Sequence, residues 1–242
     1  MAKLFNSIRR KLISDKPSFE RTSNYLKYAI GEIVLVVIGI LIALSINNWN
    51  DIRKNKKFSH EILLLIDQNL QQDSLALSTE LFKSKQAVVL TNRLMHQVAL
   101  KNYNDSLNYW MGKIISFERF KSQSSAFEVL KAKGIENIQD NKLQLALISY
   151  YDDNLFNVYK SLFDVENSFN SDWVPVIKQN FSDFKFMNYS QPINSKNFFE
   201  KPSTITLFKL YKDNRAGSVR NLERAKAKIS RIRKLIKNNT QN

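Results

Sequence analysis

The sequence predicts an all-α protein: a single transmembrane helix continues into a long helix, with an extramembrane antiparallel helical bundle beyond. Three observations carry this reading. Residues 28–46 read YAIGEIVLVVIGILIALSI, 19 residues whose sole charge is Glu32. As a helix they span ~28 Å, close to the ~30 Å hydrocarbon core of a bilayer. From Asn47 to about Lys101 there is neither Gly nor Pro, and Leu63, Ile66, Leu70, Leu77, Leu81 and Val88 recur at spacings of 3, 4 or 7, the period of one helix face. No run of alternating apolar and polar residues announces a strand.

The domain plan follows as a tail over 1–27, a transmembrane helix over 28–46 and a helical domain over 47–242. In the tail, Leu4, Phe5, Ile8 and Leu12 fall at helical spacing, with Lys3, Arg9, Arg10 and Lys11 between them. That pattern suits a short amphipathic helix lying among anionic headgroups, with Phe5 inserted and the cations at the phosphates. The alternative is a frayed basic tail that only orients the chain. Pro17 supplies a bend before the span.

Tyr25 and Tyr28 stand at one end of the span and Trp49 at the other, as interfacial aromatics do. Six cations precede it within twenty residues (Arg9, Arg10, Lys11, Lys16, Arg21, Lys27) and four follow (Arg53, Lys54, Lys56, Lys57). The excess favours a cytoplasmic N-terminus and a periplasmic C-terminal domain, anchored in the inner membrane. A cleaved signal peptide is the competing reading, since Ala43 and Ser45 form a small-x-small pair. The 27-residue leader and the acidic residue in the apolar run argue against it. Within the span Glu32, Val36, Gly39 and Ala43 share one helical face. Glu32, Gly39 and Ala43 are the candidate helix–helix contact, with Glu32 bonding across it. Otherwise Glu32, one turn from Tyr28, reaches the interface and is solvated there.

Beyond the long helix, residues 101–106 (KNYNDS) read as a turn, followed by a shorter helix to about Phe120. Ser125 and Glu128 have capping-box spacing and open a helix that Gly134 closes. Asp140 caps the next helix, whose apolar positions are Leu143, Leu147, Tyr150, Tyr151, Leu155, Val158, Leu162 and Val165. Residues 171–203 hold three of the four prolines and several aromatics, and read as irregular. A last basic helix runs from about Ser203 to Lys237. Leu222, Ala225, Ile229, Ile232 and Ile236 alternate three and four apart in it, a coiled-coil seam whose natural partner is the long first helix.

The composition excludes much chemistry. There is no Cys, there are two His and five Gly in 242 residues. A Cys-ligated metal site, a thiol nucleophile and the Gly-rich phosphate loops are therefore disfavoured. His60 and His96 stand 36 residues apart without a partner motif. Asp152 and Asp153 diverge by ~100° on a helix and form a solvated face rather than an acid/base pair. We expect no catalytic residue, no cofactor and no metal, hence no enzyme. The net charge of +15 is carried by the ends: +4 over residues 1–46, +2 over 47–208 and +9 over 209–242. The last portion, eleven cations against two acids, suits phosphate in principle, but it lacks the stacking aromatics of single-strand binders and carries a packed seam. Nucleic acid is not an expected partner. The lipid bilayer is, along with a protein partner or a second copy of the chain.

The run YAIGEIVLVVIGILIALSINNWN (28–50), with KLIS (11–14) ahead of it, resembles the N-terminal signature of a family of uncharacterised single-span membrane proteins of Bacteroidota, a domain-of-unknown-function family. Residues 124–151 resemble that family's second pattern, a Ser/Thr-x-x-Glu stretch closed by Gly and followed by a helix ending in paired Tyr. Val129 and Lys133 depart from it. The resemblance implies an inner-membrane protein with a helical extracytoplasmic domain and no assigned activity. The expected role is an envelope interaction or scaffold module. The alternative is a ligand-sensing subunit whose pocket lies near Trp173, Phe181, Phe184 and Phe186 and which signals through a partner.

Overall fold

The computed structural model describes residues 18–241, with side-chain environments for 26–240. The tail reading on Phe5, Arg9, Arg10 and Lys11 lies outside the described residues. The chain divides into two units, Met1–Lys57 and Phe58–Asn242.

The described part of the first unit is all helix. It belongs to α1 (Ser18–Ala99), which runs 82 residues without interruption. The absence of Gly and Pro after the span permits this, as the sequence led us to expect. Its best 18-residue window has a mean hydropathy of 2.8, and none of that window is buried.

The second unit packs the rest of α1 against short helices and one long one. α2 covers Ser106–Ile114 and α3 Ser125–Lys133. Next come α4 (Asn141–Ile148), α5 (Leu155–Ser168) and α6 (Val174–Asn180), joined by two π-helical turns at Ser149–Asn154 and Phe169–Trp173. α7 is Ser195–Phe199 and α8 is Pro202–Gln241. The expected apolar stripe from Leu143 to Val165 is buried at every position named. So is the seam Leu222, Ala225, Ile229, Ile232 and Ile236, which shares one apolar cluster with Ile62, Leu63, Ile66 and Leu70 of α1. Polar pairs bind the two helices along their length: Arg233 to Asp67 at 2.8 Å, Glu223 to Lys85 at 2.5 Å and Lys212 to Asn92 at 3.3 Å. The partners step in opposite sequence directions.

Three expectations are corrected. Residues 171–203 are ordered rather than irregular, and they contain the strands that the all-α reading omitted. β1 (Phe181–Lys185) and β2 (Tyr189–Pro192) form an antiparallel hairpin, with a register shift between Phe181 and Asp183. The strands are too short and too polar to show alternation, and the positive φ of 62° at Met187 makes the turn. The hairpin sits on α2 so closely that a Cβ on Gly112 would lie 2.1 Å from the Tyr189 backbone nitrogen. Second, the helix expected to reach Phe120 stops at Ile114. Third, Ser124 rather than Ser125 is the N-cap of α3, with no side-chain capping bond. Asn69 of α1 instead accepts the Ala126 N–H at 3.4 Å. Gly134 does end α3, at φ 109°. Asp140 does cap α4, accepting from the N–H groups of Lys142 and Leu143.

Candidate functional site

Unit 1 presents an apolar helix on which none of the described residues packs. Leu35, Val36, Ile40, Leu41, Ile42 and Leu44 are all about half exposed or more. In water such a surface is costly, roughly 25 cal/mol per Å²; a bilayer removes that cost. The polar groups along it are consistent with that solvent. Backbone bonds are satisfied within the helix, and the Ser45 hydroxyl donates to the Leu41 carbonyl at 2.8 Å. At the far end the Arg53 guanidinium lies 5.6 Å from the Trp49 ring centroid, a cation–π contact. Glu32, Gly39 and Ala43 are exposed, and an added Cβ on Gly39 meets nothing within 4 Å. The predicted contact face is thus open.

Two buried polar clusters organise unit 2, and sequence reasoning missed both. The first centres on Asp73, which interrupts the apolar stripe of α1 and is 1% exposed. Its carboxylate accepts from the Tyr150 hydroxyl at 2.9 Å, from the Ser122 hydroxyl, and from the Gln123 N–H at 2.8 Å. The Ser122 N–H donates to the Tyr159 hydroxyl at 3.0 Å. Burial first, and then the Asp73 charge, hold the Tyr150 hydroxyl well above the usual tyrosine range. Neighbouring Tyr151 stacks on Phe127 at 4.1 Å and 8°. Its hydroxyl is buried without a hydrogen-bond partner. The paired tyrosines therefore have different work, one polar and one apolar. The π-helical turn at Ser149–Asn154 contains both; its extra residue per turn brings the two rings inward side by side.

The second cluster joins Arg215 of α8 to Glu118 in the segment after α2. Their side chains are 0% and 2% exposed, and Nη1 lies 2.7 Å from one carboxylate oxygen and 2.9 Å from the other. Ser84 of α1 donates to the same carboxylate at 3.2 Å. Arg215 also donates to the carbonyls of Ser116 and Ile114, and the Tyr211 hydroxyl to that of Ser116. A buried cation thus bonds to carbonyls at the end of α2 and meets the negative end of its dipole. That is why the helix stops short of Phe120: the chain must unwind to deliver Glu118 and Ser116 to Arg215.

Of the residues expected to line a ligand pocket, Trp173, Phe181 and Phe184 belong to one apolar cluster, and Phe181 meets Phe198 at 5.0 Å. Trp173 is fully buried in the second apolar cluster, in contact with Phe208 at 4.8 Å and Tyr211 at 6.0 Å. Phe184 and Phe186 pack against Phe169. An open groove of about 620 Å³ lies elsewhere, between α6 and the start of α8, lined by Asp172, Asn180, Lys201, Thr204 and Leu210 among others. Asp152, exposed as the solvated-face reading expects, pairs with Lys131 at 3.5 Å. Among the described residues no group of three or more His, Asp or Glu is arranged to hold a metal ion.

The model of a family of unknown function (DUF6090) matches residues 32–211. No curated protein matches the chain, and no solved structure does.

Proposed function

This chain belongs to the DUF6090 family, whose function is unknown, and we propose that it is a membrane-anchored helical interaction module of the bacterial envelope. The observation that carries this reading is the helix at Leu26–Ala99: none of its most apolar window is buried among the described residues. A bilayer is the solvent that such a surface fits. In this reading the N-terminus is cytoplasmic, unit 2 is an antiparallel helical bundle in the periplasm, and the tail with Phe5, Arg9, Arg10 and Lys11 rests in anionic headgroups. Glu32, Gly39 and Ala43 contact a second copy or another span. The role is one of binding, without catalysis, cofactor or metal.

The reading is tested by crosslinking intact membranes, followed by blue-native electrophoresis and a pull-down. A complex larger than the monomer, weakened by Gly39→Leu, supports it. Monomer alone, with no partner enriched, overturns it. Reporters fused after Trp49 and at the C-terminus test the orientation.

A second reading rests on the groove between α6 and α8, which would make unit 2 a ligand-sensing subunit that signals through a partner. A ligand screen that raises the melting temperature of the detergent-solubilised chain, with the increase lost in Thr204→Trp, would favour it.

A further inference from the structure

We propose that the C-terminal end of α8 is a second membrane contact, a cationic face that binds anionic lipid headgroups. The proposal rests on the reading of residues 28–46 as a span and goes beyond it.

After Glu223, which pairs with Lys85, the chain contains no further acidic residue. Arg224, Lys226, Lys228, Arg231, Arg233, Lys234 and Lys237 follow. Of these, Arg233 is engaged by Asp67 at 2.8 and 3.1 Å, whereas Arg231, Lys234 and Lys237 are exposed. The inner face of the same turns, Ile229, Ile232 and Ile236, is buried. The helix is therefore held by its core and presents charge outward. Two carboxylates of facing elements are already engaged: Asp67 by Arg233, and Asp140 by Asn239 at 2.9 Å while it caps α4.

The position of this charge decides the occupant. Ile232 and Ile236 lie in one apolar cluster with Ile62 and Leu63, and Phe58 packs on that cluster. The pairs Lys212–Asn92, Glu223–Lys85 and Arg233–Asp67 step in opposite directions, so the basic end of α8 lies toward the Phe58 end of unit 2. Only about a dozen residues separate Ile46 from Phe58. Even fully extended, they tether Phe58 within ~43 Å of Ile46. A headgroup surface is therefore always within reach, at high effective concentration. Exposed Lys and Arg beside a bilayer are attracted to anionic lipid within about a Debye length.

The test uses the full chain in nanodiscs, which offer the same lipid on both faces whatever the native orientation. The chain has no Cys, so Asn238→Cys and, in a separate protein, Lys209→Cys each accept one fluorophore, at opposite ends of the same helix. Quenching is measured with a nitroxide-headgroup lipid, in phosphatidylcholine discs and in discs with phosphatidylglycerol added. We expect quenching at position 238 to rise about twofold with phosphatidylglycerol and that at 209 to remain unchanged. About 0.5 M salt, and the triple change Arg231→Glu, Lys234→Glu and Lys237→Glu, should abolish the rise. These three side chains are exposed, so helix content and melting temperature should be retained. Equal quenching at 238 in both discs, or a rise that survives salt or charge reversal, overturns the proposal. A chain that fails to co-elute with the discs at all refutes instead the span on which the proposal rests.

Discussion

Arg215 and Glu118 are 97 residues apart in sequence, yet meet through two contacts of 2.7 and 2.9 Å with both side chains sealed from water. A buried pair of this kind is held by mutual compensation, and removing one partner leaves a charge without solvent or counter-ion. We predict that Glu118→Ala lowers stability by about 3–5 kcal/mol, and so the melting temperature by roughly 10 °C for a domain of this size. The double change Glu118→Leu with Arg215→Met should recover much of that loss. Thermal unfolding of the full chain in detergent, followed by circular dichroism, checks both.

The adjacent tyrosines of the first π-helical turn should respond in opposite ways. Tyr150→Phe removes a donor to the buried Asp73 carboxylate and should cost about 1.5–3 kcal/mol. Tyr151→Phe removes a buried hydroxyl that has no partner and should be neutral or slightly stabilising. Urea unfolding of the two variants decides; equal losses would contradict the division of roles between the rings.

Two glycines in helices should also diverge. Gly112→Ala drives a methyl group into the β2 backbone at 2.1 Å and should cost about 1–3 kcal/mol or more by overpacking. The nearest atom to a Cβ on Gly217 is a flexible Arg220 nitrogen at 3.9 Å, so Gly217→Ala should stabilise α8 by ~0.5–1 kcal/mol. Melting temperatures of the two variants check the signs.

Acid should loosen the end of unit 2 at Asp140. The bond from Asn239 holds this carboxyl below its ordinary value, aided by the Leu143 and Lys142 N–H groups. A carboxyl whose folded value is depressed contributes stability that is complete above its unfolded value, near 3.8. That contribution is lost as pH falls through the lower folded value. Glu166 acts with the same sign through its hydrogen bond from Arg119. Melting temperature should therefore fall as pH drops from about 5 to 3. Asn239→Ala should flatten that fall, and an unchanged slope would remove Asp140 from the account.

Much of the molecule could be read before folding because burial follows periodicity. The unbroken helix through the span, the stripe from Leu143 to Val165, the seam of α8, the Asp140 cap and the Gly134 stop are all local patterns. Each is encoded within a few turns of chain, and each appears in the structure. What the sequence by itself determined was therefore the helical class, the candidate membrane segment and the apolar faces that make the core.

The polar interior was decided only by the tertiary structure. In sequence Asp73 interrupts a stripe, Arg215 is one of eleven cations of a basic end, and no local pattern marks Glu118. Their partners come from segments 34 to 101 residues away, and the cost of burying each charge is met only once those segments converge. The same holds for the end of α2 at Ile114, which a distant guanidinium completes, and for the hairpin, whose short polar strands are positioned by the close approach permitted at Gly112. Apolar periodicity acts between neighbours in the chain; a buried charge needs a counter-charge or donor in space, and one helix read alone does not contain it.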